Sequence, residues 1–140
     1  MPQTTRVGIS LDGQLLRSFD ALCKKRGYAN RSEAIRDLIR QELVRAEWED
    51  AGGETVVGAL CLVYEHERME AGHRLTHAQH ENLHLVVSTL HVHLDRQNCL
   101  EVLVLRGAAR QVKALADRLI SAKGVKHGEL VMTTTGARLR

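Results

Sequence analysis

No stretch of this 140-residue chain is apolar for long enough to cross a bilayer as a helix. The longest run, Val56 to Tyr64, has nine residues and includes a glycine, against the roughly 20 that a membrane helix needs. The first residues, Met-Pro-Gln-Thr-Thr-Arg, hold no apolar signal core, so a cytoplasmic address and no membrane partner are the default expectation. Cysteine is sparse and odd in number: Cys23, Cys61 and Cys99, with no Cys-x-x-Cys, which argues against a disulfide framework. Also missing are a glycine-rich phosphate cradle and a nucleophile–base–orienter signature, so catalysis is not expected. What is left is an ordinary soluble composition, 44% hydrophobic and 26% charged, in a length that suits one domain or two very small ones.

Charge and histidine are distributed unevenly. Residues 1–45 carry nine Lys and Arg against five Asp and Glu, and residues 46–54 carry four acids and no base. A basic head followed by an acidic spacer is compatible with a nucleic-acid partner. Seven of the eight histidines fall between His66 and His93; clustered imidazoles serve metals, protons or catalysis.

In the head, Arg6-Val7-Gly8-Ile9-Ser10-Leu11 alternates as a strand does, with Val7, Ile9 and Leu11 on one side. After Asp12-Gly13 the period becomes helical: Leu15, Leu16, Phe19, Leu22 and Cys23 form a stripe ending at Lys24-Lys25-Arg26-Gly27. Asn30-Arg31-Ser32-Glu33 offers the cap of a second helix, with a stripe of Ala34, Ile35, Leu38, Ile39 and Leu43. A strand and two helices are too small to bury a stable core, but two copies would pair their strands into an antiparallel ribbon. Such a ribbon fits the major groove and would turn Arg6, Gly8 and Ser10 toward base edges. The bare amides at the start of the second helix, with Asn30 and Arg31 beside them, suit a phosphate. This segment resembles the ribbon-helix-helix DNA-binding family.

Arg45 to Thr55 reads as a helix tail plus a hinge at Gly52-Gly53, with Trp48 either a docking anchor or, the favoured reading, a cover for the helix end. Beyond it the patterns give a strand at Val56–Tyr64, a helix from Glu67 to about Thr76, and strands at Leu85–Leu94 and Leu100–Leu105 around an Asp95-Arg96-Gln97-Asn98 turn. A helix over Ala108–Ala122 and a last strand ending at Thr134 follow. The fold class expected is therefore α+β: a ribbon-helix-helix head over 1–47, a linker over 48–55, and a ferredoxin-like or ACT-like βαββαβ domain over 56–136 with both helices on one sheet face.

On the strand Leu90-His91-Val92-His93-Leu94 the histidines share a side, and across the turn Cys99 and Glu101 share a parity. If the leucines and valines face the helices, His91, His93, Cys99 and Glu101 lie on the open face. His80, placed after a helix on the other side, would then reach that site most easily from another chain. Three imidazoles and a thiolate suit Ni(II) or Cu(II) in a square plane and Zn(II) in a tetrahedron, and the spacing does not choose among them.

The segments Asn30-Arg31-Ser32-Glu33-Ala34-Ile35-Arg36-Asp37, Tyr64-Glu65-His66-Glu67 and Thr89-Leu90-His91-Val92-His93, followed by Cys99-Leu100-Glu101, resemble the nickel-responsive transcriptional regulators known as NikR, across nearly the whole chain. The resemblance implies a homotetramer, a dimer of dimers, that binds a palindromic double-stranded DNA operator and represses nickel uptake when loaded with one Ni(II) per chain. It implies nickel ligands at His91, His93 and Cys99 of one chain and His80 of its neighbour, with Gln79 and Glu101 hydrogen-bonding behind them. It also implies a secondary cation site, for K+, at Glu33 and Asp37. Gly8 departs from the hydroxyl residue frequent at that position, and His66, His73, His77 and His84 are additional imidazoles. The alternative is a ribbon-helix-helix regulator that answers to Cu, Zn or a small molecule through its ACT-like domain.

Overall fold

Asp12 closes the N-terminal segment by accepting hydrogen bonds from the backbone N–H groups of Gln14 (2.8 Å) and Leu15 (3.1 Å), which starts helix α1, Gly13–Arg26. Gly27 ends it in the left-handed conformation at φ 75°, after Lys24, Lys25 and Arg26 have met the negative helix end. The Asn30 carboxamide oxygen accepts from the Glu33 N–H at 2.9 Å and caps α2, Arg31–Glu49. The computed structural model describes residues 3–50, 53–67 and 69–139, so Gly52 of the expected hinge lies outside the described residues.

Residues 6–11, expected as a strand, form none in the single chain. Val7 and Ile9 are 81% and 62% exposed. A lone strand has no ladder partner for its amides and carbonyls, so alternation by itself does not make a strand.

The chain divides into two compact units, residues 1–41 and 42–140. The second contains β1 (Thr55–Glu65), α3 (Met69–Glu81), β2 (Val86–His93), β3 (Asn98–Ala108), α4 (Ala109–Ile120) and β4 (Val125–Thr133). The sheet order is β2-β3-β1-β4, and its three pairings are antiparallel. This is the expected split βαββαβ arrangement. Helix α3 runs to Glu81, so His80 lies in its last turn and not after it.

One face of the sheet carries Val56, Leu60, Leu62 and Tyr64 from β1 and Cys99, Leu103 and Leu105 from β3, packed with Leu75 and Ala78 of α3 and Val112, Leu115 and Leu119 of α4. Each fully buried leucine here contributes about 1.5–3 kcal/mol. Trp48, near the end of α2, is part of this core at 3% exposure. Its indole N–H donates to the Thr133 carbonyl at 2.8 Å, and Lys113 donates to the Trp48 carbonyl at 3.0 Å. It therefore anchors the core of the second unit and does not merely cover a helix end.

Candidate functional site

Cross-strand register sets the site. His91 sits opposite Glu101 and His93 opposite Cys99 on the β2–β3 pair, while Tyr64 of β1 sits opposite Cys99 on the other side. Directly opposed residues point to the same side of a sheet, and Tyr64, Cys99 and Glu101 are buried on the helix side. The histidines and cysteine are thus on the helix-covered face. The expectation of an open-face site is corrected: Leu90, Val92, Leu100 and Val102 occupy the open face, and Leu90 is 61% exposed. The apolar alternation marks this uncovered face, because apolar residues line both sides of β1 and β3.

His91, His93 and Cys99 converge, and His66 joins them: the four candidate ligand atoms all lie within 4.8 Å of one another. Donors around one ion stand at most about two bond lengths, or about 4–4.6 Å, apart, so the group is gathered at nearly coordination spacing. The His66 and His93 rings are 5.0 Å apart and those of His91 and His93 4.9 Å. His66 is an addition to the expected set of His91, His93 and Cys99. The signal was its period-2 spacing from Tyr64, which gives it the parity of the site just beyond the end of β1.

Hydrogen bonds behind these side chains fix their poses. Tyr64 Oη lies 3.2 Å from His91 Nδ1, which leaves Nε2 as the free nitrogen of that ring. Gln79 donates to the buried Glu101 carboxylate at 2.6 Å and accepts from the Thr89 hydroxyl at 3.3 Å. Gln79 and Glu101 thus do stand next to the histidine pair, tied to each other. Burial, with the neighbouring Glu101 carboxylate, holds the Tyr64 phenol well above its usual range. Burial and the charges of Asp95 and Glu101 push the Cys99 thiol up, and its sulfur lies 3.5 Å from His93 Nδ1. To ligate a cation, Cys99 must give up that proton.

His80 is not brought to this group. It lines a groove of about 800 Å³ between α3 and α4, with His77 and Arg118. In the head, the Arg31 guanidinium is held by the Asp20 carboxylate through two hydrogen bonds of 2.7 and 2.8 Å. Asn30 is used as the cap of α2. Arg6, Gly8 and Ser10 are exposed. Glu33 pairs with Arg36, and Asp37 accepts from the Tyr28 hydroxyl, so both carboxylates of the expected cation pair have partners of their own.

Two imidazoles and a thiolate on an edge strand pair, with a third imidazole beside them, form a donor set that fits Ni(II), Cu(II) or Zn(II). No helix among the described residues is long and apolar enough to cross a membrane. Known proteins narrow the choice. Residues 57–133 match the NikR C-terminal nickel-binding domain, and residues 5–46 match the ribbon-helix-helix proteins of the copG family. Proteins named "Putative nickel-responsive regulator" from Geobacter metallireducens and Geobacter sulfurreducens are each 58% identical over 139 residues, 99% of this chain and of theirs. One from Nitratidesulfovibrio vulgaris is 56% identical over the same share of both chains. In fold, an uncharacterized protein from Thermotoga maritima superposes with a TM-score of 0.51 at 20% identity, covering 56% of this chain and 98% of its own. With a ribbon-helix-helix head and a nickel-binding domain matched along almost its whole length, the chain belongs to the NikR family of nickel-responsive regulators.

Proposed function

We infer that this protein is a transcriptional regulator that binds DNA through its head and responds to Ni(II) through its second unit. The observation that carries this reading is the convergence of His91, His93 and Cys99 on one side of the β2–β3 pair, in a chain whose residues 5–46 match the ribbon-helix-helix family. One Ni(II) per chain is held by those three residues, and His80 of a neighbouring copy supplies the fourth donor. Four protein ligands leave no open position for a substrate water, as suits a sensor and not a hydrolase. Gln79 and Glu101 keep the surrounding polar groups paired, and Tyr64 fixes the His91 ring.

Two features support assembly into a homotetramer. The open sheet face is apolar, with Leu90 and Val131 more than half exposed, and uncovered apolar patches of this kind mark interfaces. Strand β2 is an edge strand, exposed from Thr89 to His93, so a side chain of a second copy has access to the site. A second reading takes His66 as the fourth donor, because it already stands within 4.8 Å of the other three ligand atoms.

Nickel favours the arrangement in which two heads meet a palindromic operator, and the outcome is repression of nickel uptake. A ligand shifts such an equilibrium only by its differential affinity for the two states, and couplings of about 1–3 kcal/mol are typical. The test begins with Ni(II) titration followed by visible absorption. A thiolate-to-nickel charge-transfer band saturating at one equivalent per chain, and lost in Cys99→Ala, is expected. His80→Ala abolishes the band while His66→Ala leaves it; the reverse pattern establishes the second reading. On a DNA fragment selected by the loaded protein, nickel raises affinity by about 5–150-fold at fixed salt. Equal affinities with and without nickel, or a response to Cu(II), Zn(II) or an amino acid alone, would refute the nickel response.

A further inference from the structure

The excess of histidine is not used up by the site at Cys99. Helix α3 carries His73 and His77 four residues apart on a continuous helix, Met69–Glu81, which stacks their side chains on one face with Cβ atoms about 5–6 Å apart. Two histidines at this spacing on one helix face are a recurrent way to chelate a divalent transition metal. Both imidazoles are exposed and line the same groove of about 800 Å³.

A second observation points to a ligand. His77 Nδ1 lies 3.5 Å from Glu81 Oε1, and the other oxygen of Glu81 accepts a hydrogen bond from Arg118 at 3.2 Å. The carboxylate thus stands on the Nδ1 side of the His77 ring, the side from which carboxylates orient metal-bound histidines, and the Nε2 side is left to a metal. The Glu81 carboxylate also pairs with Arg118, so that guanidinium of the groove is balanced by a negative charge.

We propose that His73 and His77 form a second, surface site for a borderline divalent cation, with Glu81 orienting His77. Two neutral imidazoles with water completing the shell bind more weakly than a set containing a thiolate, so this site fills after the one at Cys99. Imidazole pairs suit Ni(II), Cu(II) and Zn(II), and Ni(II) alone serves as the probe.

The experiment is equilibrium dialysis of the full-length protein against rising free Ni(II), with metal analysis and visible absorption on each sample. The wild type is expected to take up nickel beyond the first equivalent in a step that adds no thiolate band. The double variant His73→Ala/His77→Ala loses that later step and keeps the band, as does the single variant His77→Ala, whose position does not line the hollow that His73 shares with Tyr64, His66 and His91. Glu81→Gln weakens the later step about tenfold or more. All three positions are exposed, and His80 is left intact, so the first site serves as an internal control of folding. Uptake that stops at the first equivalent in the wild type, a later step unchanged in the double variant, or a later step unchanged in Glu81→Gln overturns the proposal. Should the thiolate band be missing while the His73–His77 step is present, the surface site stands and the reading of Cys99 falls.

Discussion

Arg31 is tied to Asp20. Asp20 takes two of the guanidinium's N–H donors within the head, so in the proposed DNA-bound state a phosphate at the start of α2 would compete with that carboxylate or approach the guanidinium from its exposed side. The hydrogen bond from Arg31, joined by its charge, holds the Asp20 carboxyl below its ordinary value of 3.8. A carboxyl depressed in the folded state adds stability that is present above the unfolded value and is lost as pH falls through the folded one. Carbon-detected NMR titration is expected to give Asp20 a midpoint below 3.8, returning to about that value in Arg31→Gln. A midpoint at or above it in the wild type means the pair does not form in solution. The pair is solvent-exposed, so its effect is screened by salt.

Among the elements, β1 decides how the end of α2 is seated. A Cβ on Gly58 would come within 2.9 Å of Leu130 Cδ1 and 3.2 Å of the Trp48 ring. The missing side chain is what admits the indole to the sheet. Gly58→Ala is therefore expected to cost about 1–3 kcal/mol through overpacking, and Trp48→Ala about 3–5 kcal/mol through the cavity it leaves. Denaturant midpoints measured on metal-free protein check both. A Gly58→Ala protein as stable as the wild type would show that the indole packs elsewhere. The N-terminus of α1 depends in a similar local way on Asp12: Asp12→Ala removes the acceptor for two backbone N–H groups, with an expected loss of about 1 kcal/mol in the same measurement.

For the whole molecule, the proposed assembly rests on the open face of the sheet. Leu90 pairs with Val102 and Val92 with Leu100 on that side, and Val131 stands opposite Ala59. A charge placed there leaves the helix-side core untouched. Leu90→Glu is expected to fold normally by circular dichroism but to run at lower mass in light scattering than the wild type. Because the fourth nickel donor comes from a neighbouring copy in the proposed arrangement, the same variant should also lose its thiolate–nickel band. Unchanged mass would remove this face as the interface; reduced mass with an unchanged band would favour His66 as the donor.

Much of this was legible from residue pattern. Helical periods placed α1, α2 and α4, and the turn composition at Asp95–Asn98 joined two strands whose register puts His91 and His93 across from Glu101 and Cys99. Relative parity follows from the period of two, and it is enough to predict that these four residues share a side. Which side of the sheet that is does not follow. Leu90, Val92, Leu100 and Val102 are as apolar as Leu60, Leu62, Leu103 and Leu105, and only the packing of α3 and α4 distinguishes the covered set from the exposed one. Residues 6–11 are no strand in the single chain for a related reason: the expected ribbon draws its hydrogen bonds from the strand of a second copy. His66 reaches the site from beyond the end of β1, and Trp48 enters the core over Gly58. Sequence determined the elements and their internal facing, because both depend on local backbone period. Tertiary structure alone decided which facing was buried, because burial depends on what packs against an element from far away in the chain.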